Sequence, residues 1–198
     1  MLDAAFFVRW MMALAASVEQ EADRLTELDS AIGDADHGSN MQRGFAAVVT
    51  SLEAEPPATP GAVLIAAGRQ LISTVGGASG PLYGTLLRRT GKTLGEEPQV
   101  TAAELQTALA SGVDGVTQLG GAAPGDKTML DALVPAVEAL STSFDAAAEA
   151  AAQGALATVP LQARRGRASY LGERSIGHQD PGATSSALVF AALAEVAK

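Results

Sequence analysis

Cysteine is absent from this sequence of 198 residues, and histidine occurs only twice. The absence of cysteine excludes disulfide bonds, thiolate metal sites and thiol nucleophiles. Although 47% of the residues are hydrophobic, no stretch reaches the roughly 18 uncharged apolar residues of a membrane-spanning helix. The apolar N-terminal stretch contains Arg9 and lacks a cleavage pattern, so we interpret it as a buried helix rather than a signal peptide. We therefore expect a cytoplasmic protein with no membrane partner.

Basic residues are scarce as well. The 13 lysines and arginines are outnumbered by 22 acidic residues, which gives a formal net charge of -9 at pH 7. Because binding to duplex nucleic acid depends on basic side chains that neutralise phosphates, this charge argues against a nucleic-acid partner. A phosphorylated small molecule would need positive charge from a local source, namely helix N-termini, a few arginines or metal ions.

Helical periodicity dominates the sequence. Apolar residues recur at intervals of three and four, as in the segment with Phe7, Trp10, Met11, Leu14 and Val18. Thr101 and Glu104 have the spacing of a capping box, and Asp180 followed by Pro181 is typical of a helix start. Few stretches alternate like a strand, and no linker divides the chain. We predict a single all-α domain over residues 1–198, with about eight helices.

Glycine and polar residues collect in four loops between helical segments, at residues 29–40, 76–84, 120–128 and 165–182. In an up-and-down bundle, alternate connections lie at the same end. We therefore expect several of these loops to converge on one site. The helix after the first loop is expected to begin at Ser39 or Asn40, and the next after Pro81. A third is expected to be capped by Asp126 and to continue to about Leu140.

The first loop, DSAIGDADHGSN, brings Asp29, Asp34 and Asp36 close together in the sequence. Carboxylates at 4 Å repel each other by about 4 kcal/mol per pair with an effective dielectric constant of about 20, so their convergence would require a hard cation or protonation. Mg²⁺ is the expected ion, because it prefers oxygen ligands and commonly shares a site with phosphates. The register excludes a calcium EF-hand, since its glycine position holds Asp34 and its glutamate position Asn40. A solvated turn remains an alternative.

The other polar loop residues each have more than one interpretation. His37 can contact a ligand, act as a general base or serve as a helix-capping donor, and we favour binding because no Ser/His/Asp arrangement accompanies it. His178 lies either at the site or on the surface. The glycine-rich loop 76–85 lacks the Lys-Ser/Thr of a Walker A loop; it can hold an anion with its N–H groups and Ser79, or its glycines can serve close helix packing. Met129 can contact an aromatic base or lie in the core.

Positive charge near these loops comes from few residues. Lys127 stands beside Asp126 at an expected helix start, and the stretch RRGRASYLGERS supplies four arginines, Arg164, Arg165, Arg167 and Arg174. An arginine from this group could reach a phosphate. The alternative is a solvated basic loop.

Five segments together resemble the nucleotide-binding L subunits (DhaL) of bacterial dihydroxyacetone kinases: LDSAIGDADHGSNMQRGF, GGASGPLYGT, PGDKTM, GRASYLGERS and GHQDPGAT. They occur in the same order as in that family, between about residues 28 and 188. The resemblance implies an antiparallel eight-helix barrel or bundle with a nucleotide site built from loops at one end. It also implies ADP or ATP as the ligand, with two Mg²⁺ ions that bridge aspartates to the phosphates.

The resemblance further implies particular site residues. The magnesium ligands correspond to Asp29, Asp34 and Asp36. The nucleotide contacts correspond to His37, Gly38, Ser39 and Asn40; to Ala78 and Ser79; to Gly120 and Met129; and to Arg167, Asp180, Pro181 and Gly182. No residue of the chain is expected to act as a nucleophile, because the transfer is metal-assisted.

Members of the resembled family work in one of two modes. Some use free ATP as a substrate, whereas others keep ADP as a coenzyme that a phosphohistidine carrier of the phosphoenolpyruvate phosphotransferase system recharges. GDADHG followed by NMQRG resembles the second group. This mode implies two partners, a K subunit that binds dihydroxyacetone and an M subunit that carries the phosphohistidine. A transcription regulator is a further candidate partner.

Two alternatives stay open at this point. The chain could be the nucleotide subunit of a related kinase for another ketose or a fatty acid, and the partner chain would discriminate between these. It could instead be a helical adaptor or regulatory module with a vestigial site, although the intact aspartates argue against this.

Overall fold

A computed structural model describes residues 1–198, most of which lie in eight α-helices. The helices are α1 (Ala4–Ile32), α2 (His37–Ala54), α3 (Pro60–Thr74), α4 (Ser79–Leu94), α5 (Ala102–Gly120), α6 (Leu130–Ala139), α7 (Phe144–Ala157) and α8 (Pro181–Val196). A 3₁₀ segment, Arg167–Ser175, precedes α8, and the single sheet pairs β1 (Leu2–Asp3) antiparallel with β2 (Gln99–Val100). The all-α prediction is confirmed. None of the helices combines the length and apolar character needed to cross a membrane.

The helices form a closed ring. Each packs against its neighbours in the chain, and α8 packs back onto α1. The first residues of α2, α4, α6 and α8 line the same cavity as the last turns of α1 and α5, so successive helices run antiparallel. The expected antiparallel eight-helix barrel is therefore confirmed. One cluster of 38 buried residues fills its interior, and Trp10 joins the first and last helices by donating from Nε1 to the Val189 carbonyl at 2.9 Å.

The helix starts at the two ends of the barrel differ in their caps. At the end away from the cavity, α1, α3, α5 and α7 all begin with a capping side chain, from Asp3, Thr59, Thr101 and Ser143. The predicted capping box of Thr101 and Glu104 is present. At the cavity end, Asp180 caps α8 as expected, but no side chain of the residue preceding the helix caps α2 or α4. Their first N–H groups are therefore left for other acceptors.

The expected starts of α2 and α4 are both too late. Helix α2 begins at His37 rather than at Ser39 or Asn40, because the Asp29 carboxylate reaches across from α1. Its Oδ2 accepts hydrogen bonds from the N–H groups of Asp36 at 2.9 Å and His37 at 3.1 Å. Helix α4 begins at Ser79, before Pro81 rather than after it, since a proline is accommodated in the first turn of a helix.

The expected start of α6 at Asp126 is wrong. Lys127 adopts a left-handed conformation with φ of 63°, which interrupts the chain before the helix begins at Leu130. Asp131, inside the first turn, supplies the carboxylate that Asp126 was expected to supply. It accepts hydrogen bonds from the N–H groups of Thr128 and Gly125. The helix ends at Ala139, one residue before the expected Leu140.

Candidate functional site

A cavity of about 290 Å³ opens at the end of the barrel where the four glycine-rich loops meet. Each of these loops contributes to its lining. The segment 165–182 closes one side, since Ala163 and Ala168 pack with Ile32 in a small apolar cluster of their own. The loops that the sequence places apart are thus held together by the closure of the helical ring.

Three carboxylates form an acidic cluster at one side of this cavity. Asp29 lies in the last turn of α1 and is buried, whereas Asp34 and Asp36 are exposed on the turn that follows. Oxygens of the three carboxylates lie within 4.8 Å of one another. Gly33 permits this arrangement, because a Cβ at that position would lie 2.0 Å from Asp29 Oδ1. The backbone is also turned at Ala35, which adopts a φ of 61°.

The charge of the acidic cluster is only partly balanced within the chain. Arg167 makes an ion pair with Asp34, with 3.0 Å between Nη2 and Oδ2, and both side chains are solvent-accessible. Asp36 and Asp29 have no basic partner. Carboxylate oxygens that converge without a matching cation are suitable ligands for a hard divalent ion, so this donor set fits magnesium.

Unpaired backbone donors stand beside the acidic cluster. The N–H groups of Gly38 and Ser39 in α2, and of Ser79 and Gly80 in α4, make no hydrogen bond within the chain. Free N–H groups at a helix start carry partial positive charge and commonly bind phosphate. The cavity thus offers ligands for a cation and donors for an anion within one small volume.

His37, the first residue of α2, lies on the cavity wall beside these donors. Its Nε2 is 2.8 Å from the Ser185 hydroxyl, and its Nδ1 is 3.3 Å from the Ser79 hydroxyl. Burial lowers the pKa of His37, and the charges of Asp29 and Asp36 oppose this effect. An imidazole with both nitrogens engaged is suited to binding rather than to proton transfer.

The other side of the cavity is apolar. Its wall contains residues from α1, α4, α5 and the start of α6, namely Ile32, Leu82, Val116, Ala122, Met129 and Leu130. Met129 is 6% exposed and its thioether can pack against an aromatic ring. The backbone of Gly182 faces this wall, since a Cβ there would lie 3.8 Å from the Cβ of Met129. A planar heterocycle can be accommodated between these groups.

Most of the residues expected at the site line the cavity: Asp29, Asp34, Asp36, His37, Ala78, Ser79, Gly120, Met129, Arg167, Asp180, Pro181 and Gly182. Gly38, Ser39 and Asn40 do not line it. Gly38 faces α1, where a Cβ would lie 1.9 Å from the Ala22 carbonyl, and Asn40 accepts a hydrogen bond from Arg43. Ser39 is exposed and donates to the Asp36 carbonyl. For Gly38 and Ser39, only the backbone N–H remains as a candidate contact.

Lys127 lines the cavity, but its ammonium bonds to the segment between α7 and α8. It is 1% exposed, and its ammonium donates to carbonyls of Thr158, Leu161, Ser175 and His178. Burial lowers the pKa of Lys127, and the charges of Asp180 and Asp131 oppose this. Its role is to hold the segment that closes the cavity. The imidazole of His178 is exposed and lies outside the cavity lining.

Two residues near the site, Tyr83 and Ser185, were not predicted from the sequence. Tyr83 and Ser185 belong to a buried hydrogen-bond chain that ends at His37. For Tyr83 there is a signal in the sequence, since it follows Ser79 by four residues and must share a helix face with it. Ser185 is recognisable only in the folded chain, because its partners belong to α2 and α4.

Comparison with known proteins agrees with this geometry. A family model described as the DAK2 domain matches residues 31–195. The chain belongs to this family. Among DAK2 relatives, it is 46% identical over 201 residues to the ADP-binding subunit DhaL of the PEP-dependent dihydroxyacetone kinase of Escherichia coli, with 96% of both chains covered. It is also 38% identical to the D-erythrulose kinase of Mycolicibacterium smegmatis, of which it covers 32%.

Two solved structures share the fold of this chain. Both are structures of the dihydroxyacetone kinase of C. freundii, to which this chain is 28% identical. The native form gives a TM-score of 0.78, with 98% of this chain and 35% of that chain covered. The complex with AMP-PNP and Mg²⁺ gives a TM-score of 0.76, with 96% and 34% covered. The second structure is thus of a protein that contains this fold within a longer chain and was solved with AMP-PNP and Mg²⁺.

Proposed function

We propose that this DAK2 chain is the nucleotide-binding subunit of a phosphoenolpyruvate-dependent dihydroxyacetone kinase. The observation that carries the proposal is the meeting of the acidic cluster Asp29, Asp34 and Asp36 with the free helix-start N–H groups in one cavity. Support also comes from DhaL relatives that are matched along 96% of their own length, since these are described as ADP-binding subunits. Bound ADP is phosphorylated, and the resulting ATP then passes its γ-phosphoryl group to dihydroxyacetone.

The residues of this chain bind and orient the nucleotide. Asp29, Asp34 and Asp36 hold magnesium, with two ions in our proposal, and the N–H groups at the starts of α2 and α4 donate to phosphate oxygens. Bound magnesium supplies charge neutralisation of the phosphates and of the leaving group. Arg167, which pairs with Asp34 here, provides a side chain for a phosphate oxygen. The base packs on the apolar wall around Met129.

Phosphoryl transfer needs no nucleophile from this chain. A bond forms between the acceptor hydroxyl oxygen and the γ-phosphorus, the bond from that phosphorus to the β–γ bridging oxygen breaks, and the hydroxyl proton is released. We propose that dihydroxyacetone is held on a separate K subunit. ADP is recharged from the phosphohistidine of an M subunit of the phosphotransferase system. The related erythrulose kinases share the domain, so the partner chain decides which ketose is the acceptor.

Mass spectrometry of small molecules released from the denatured protein tests the proposal directly. We expect roughly stoichiometric ADP or ATP from protein purified with Mg²⁺, and loss of the nucleotide from Asp34→Ala with unchanged helical circular dichroism. Asp23→Ala is the matched control, because Asp23 is an exposed aspartate on the outer part of α1. Absence of nucleotide from the wild-type protein even after addition of Mg²⁺-ADP would overturn the proposed function. Equal retention by Asp34→Ala would overturn the magnesium assignment.

A further inference from the structure

A buried chain of hydroxyl groups connects the starts of three helices around the cavity. The Tyr83 hydroxyl in α4 lies 2.6 Å from the Ser185 hydroxyl and 2.8 Å from the Ser186 hydroxyl, both in α8. Ser185 in turn lies 2.8 Å from Nε2 of His37 in α2. His37 Nδ1 faces Ser79, the first residue of α4, at 3.3 Å. The chain therefore returns to the helix in which it began.

All residues of this hydrogen-bond chain except Ser79 are buried. Tyr83 is 1% exposed, Ser185 and Ser186 are 0% exposed, and His37 is 7% exposed. Buried polar groups of this kind are costly unless each finds a partner, and a chain with all partners present has few alternative arrangements. Neither α2 nor α4 packs along α8. These hydrogen bonds therefore fix the positions of the starts of α2 and α4 relative to α8, because direct helix packing does not fix them.

One assignment of donors and acceptors gives every member of this hydrogen-bond chain a partner; in it Ser185 donates to the Gly182 carbonyl, from which the Tyr83 hydroxyl lies 3.2 Å. The Ser185 hydroxyl lies 3.1 Å from the Gly182 carbonyl, to which it can donate. Its oxygen then accepts from Tyr83 and from Nε2–H of His37, using both lone pairs. A neutral imidazole carries a single N–H, so Nδ1 is left as an acceptor for the Ser79 hydroxyl. In this arrangement every hydroxyl proton and the imidazole N–H have an acceptor.

We infer that Ser185, supported by Tyr83, is a positioning residue of the nucleotide site. It holds His37 in one ring orientation and in the Nε2–H form, and through His37 it fixes the Ser79 hydroxyl on the cavity wall. Ser185 does not line the cavity and acts only through His37. The inference rests on the proposed function for its effect on nucleotide affinity, but not for the state of the imidazole.

Ser186 provides a matched control for the positioning role of Ser185. Ser185 and Ser186 are neighbours in α8, have the same burial and share Tyr83 as a partner, but only Ser185 contacts His37. Ser185→Ala and Ser186→Ala should therefore lose similar amounts of stability. Only Ser185→Ala should change the ring orientation and the tautomer of His37. Tyr83→Phe, which removes the group supporting Ser185, should produce an intermediate change.

Nitrogen-15 NMR of the imidazoles provides the readout, because the protein has only two histidines and His178 is exposed. At about pH 8, where free imidazoles are neutral, the ligand-free wild type should show His37 as a single Nε2–H form. Ser185→Ala should move His37 towards the averaged signals of His178, whereas Ser186→Ala should leave it unchanged. By titration calorimetry with Mg²⁺-ADP, Ser185→Ala should raise Kd about tenfold and Ser186→Ala less than about twofold.

Two results would overturn the inference. One is an Nδ1–H or mixed tautomer for His37 in the wild-type protein. The other is equal behaviour of the two serine variants, whether both preserve Kd and the His37 signals or both alter them. Failure of the wild type to bind Mg²⁺-ADP is a different result, because it overturns the proposed function while the ligand-free spectra still report on the positioning role.

Discussion

Asp180 combines two roles that make opposite demands on its charge. Its side chain caps α8 by accepting from the N–H of Ala183 at 2.7 Å, which favours the carboxylate. It is also 8% exposed, and burial raises its pKa to about 7 despite the nearby Lys127 ammonium. In the unfolded chain the same carboxyl has an ordinary pKa of 3.8. The group is therefore protonated in the folded protein over a range where it is ionised in the unfolded chain.

This difference predicts a specific pH dependence of stability. Between about pH 4 and pH 7 the folded state binds the proton more tightly, so the contribution of Asp180 to the free energy of unfolding falls as pH rises. The fall amounts to up to about 4 kcal/mol over this range. Urea unfolding of the wild type and Asp180→Asn at several pH values measures it, since the variant keeps an acceptor oxygen without the titration. Asp114→Asn, at an exposed position of α5, is the control and should reproduce the wild-type slope.

Equal slopes for Asp180→Asn and the wild type would contradict this assignment. The experiment is best done without nucleotide, because Asp180 lines the cavity. Binding of a polyanion nearby would add its own dependence on pH.

At the scale of elements, the segment between α7 and α8 is held together by a buried lysine in addition to its own backbone hydrogen bonds. It contains the 3₁₀ segment and carries Arg167 to the acidic cluster. Its apolar contacts are few, with Ala163 and Ala168 its buried members in the small cluster around Ile32. The Lys127 ammonium instead holds it from within by donating hydrogen bonds to four backbone carbonyls within residues 158–178.

Replacing Lys127 should therefore loosen this segment selectively. Lys127→Met keeps an unbranched side chain that is one heavy atom shorter, but leaves four carbonyls without their donor. We expect a loss of about 2–4 kcal/mol in the free energy of unfolding, because hydrogen bonds from a buried charge are stronger than average. Hydrogen exchange and trypsin cleavage between Arg164 and Arg174 should increase, while α3 and α4 stay protected. Lys92→Met, at an exposed position, should change neither.

If Lys127→Met has wild-type stability and an unchanged rate of cleavage between Arg164 and Arg174, Lys127 is not needed to hold this segment.

At the scale of the whole molecule, the cavity depends on the closure of the helical ring. Groups from the start of α2, the end of α5 and the start of α8 meet only because α8 packs back onto α1. A ligand that contacts all of them stabilises the closed ring and has no site in the unfolded chain. Binding must therefore shift the unfolding equilibrium towards the folded state.

The expected shift can be stated in numbers. At a free Mg²⁺-ADP concentration of 100 times Kd, the free energy of unfolding should increase by about 2.7 kcal/mol. For a chain of this size that corresponds to a rise of roughly 5–10 °C in Tm. Differential scanning calorimetry with ADP in Mg²⁺ and with ADP in EDTA measures it. A rise of the same size in EDTA would show that the acidic cluster does not require magnesium to hold the nucleotide.

The sequence by itself determined much of this protein. Apolar spacing and the Thr101–Glu104 and Asp180–Pro181 signals predicted the helical class and two helix starts, because these depend on interactions within one turn. The segments around Asp29, Ser79 and Met129 pointed to the family, and their loops do line one cavity. Each of these properties is encoded locally, so no knowledge of the packed structure was needed.

Only the tertiary structure decided the rest, because it depends on groups distant in sequence. The carboxylate of Asp29 reaches the start of α2 and moves it to His37, three helices join at the Tyr83–Ser185–His37 chain, and Lys127 finds its four carbonyls more than 30 residues away. Side chains alone also do not reveal that Gly38 and Ser39 can offer only their backbone N–H groups. The local spacing of residues predicts the helices. The closure of the barrel decides which polar groups come into contact and which face the cavity.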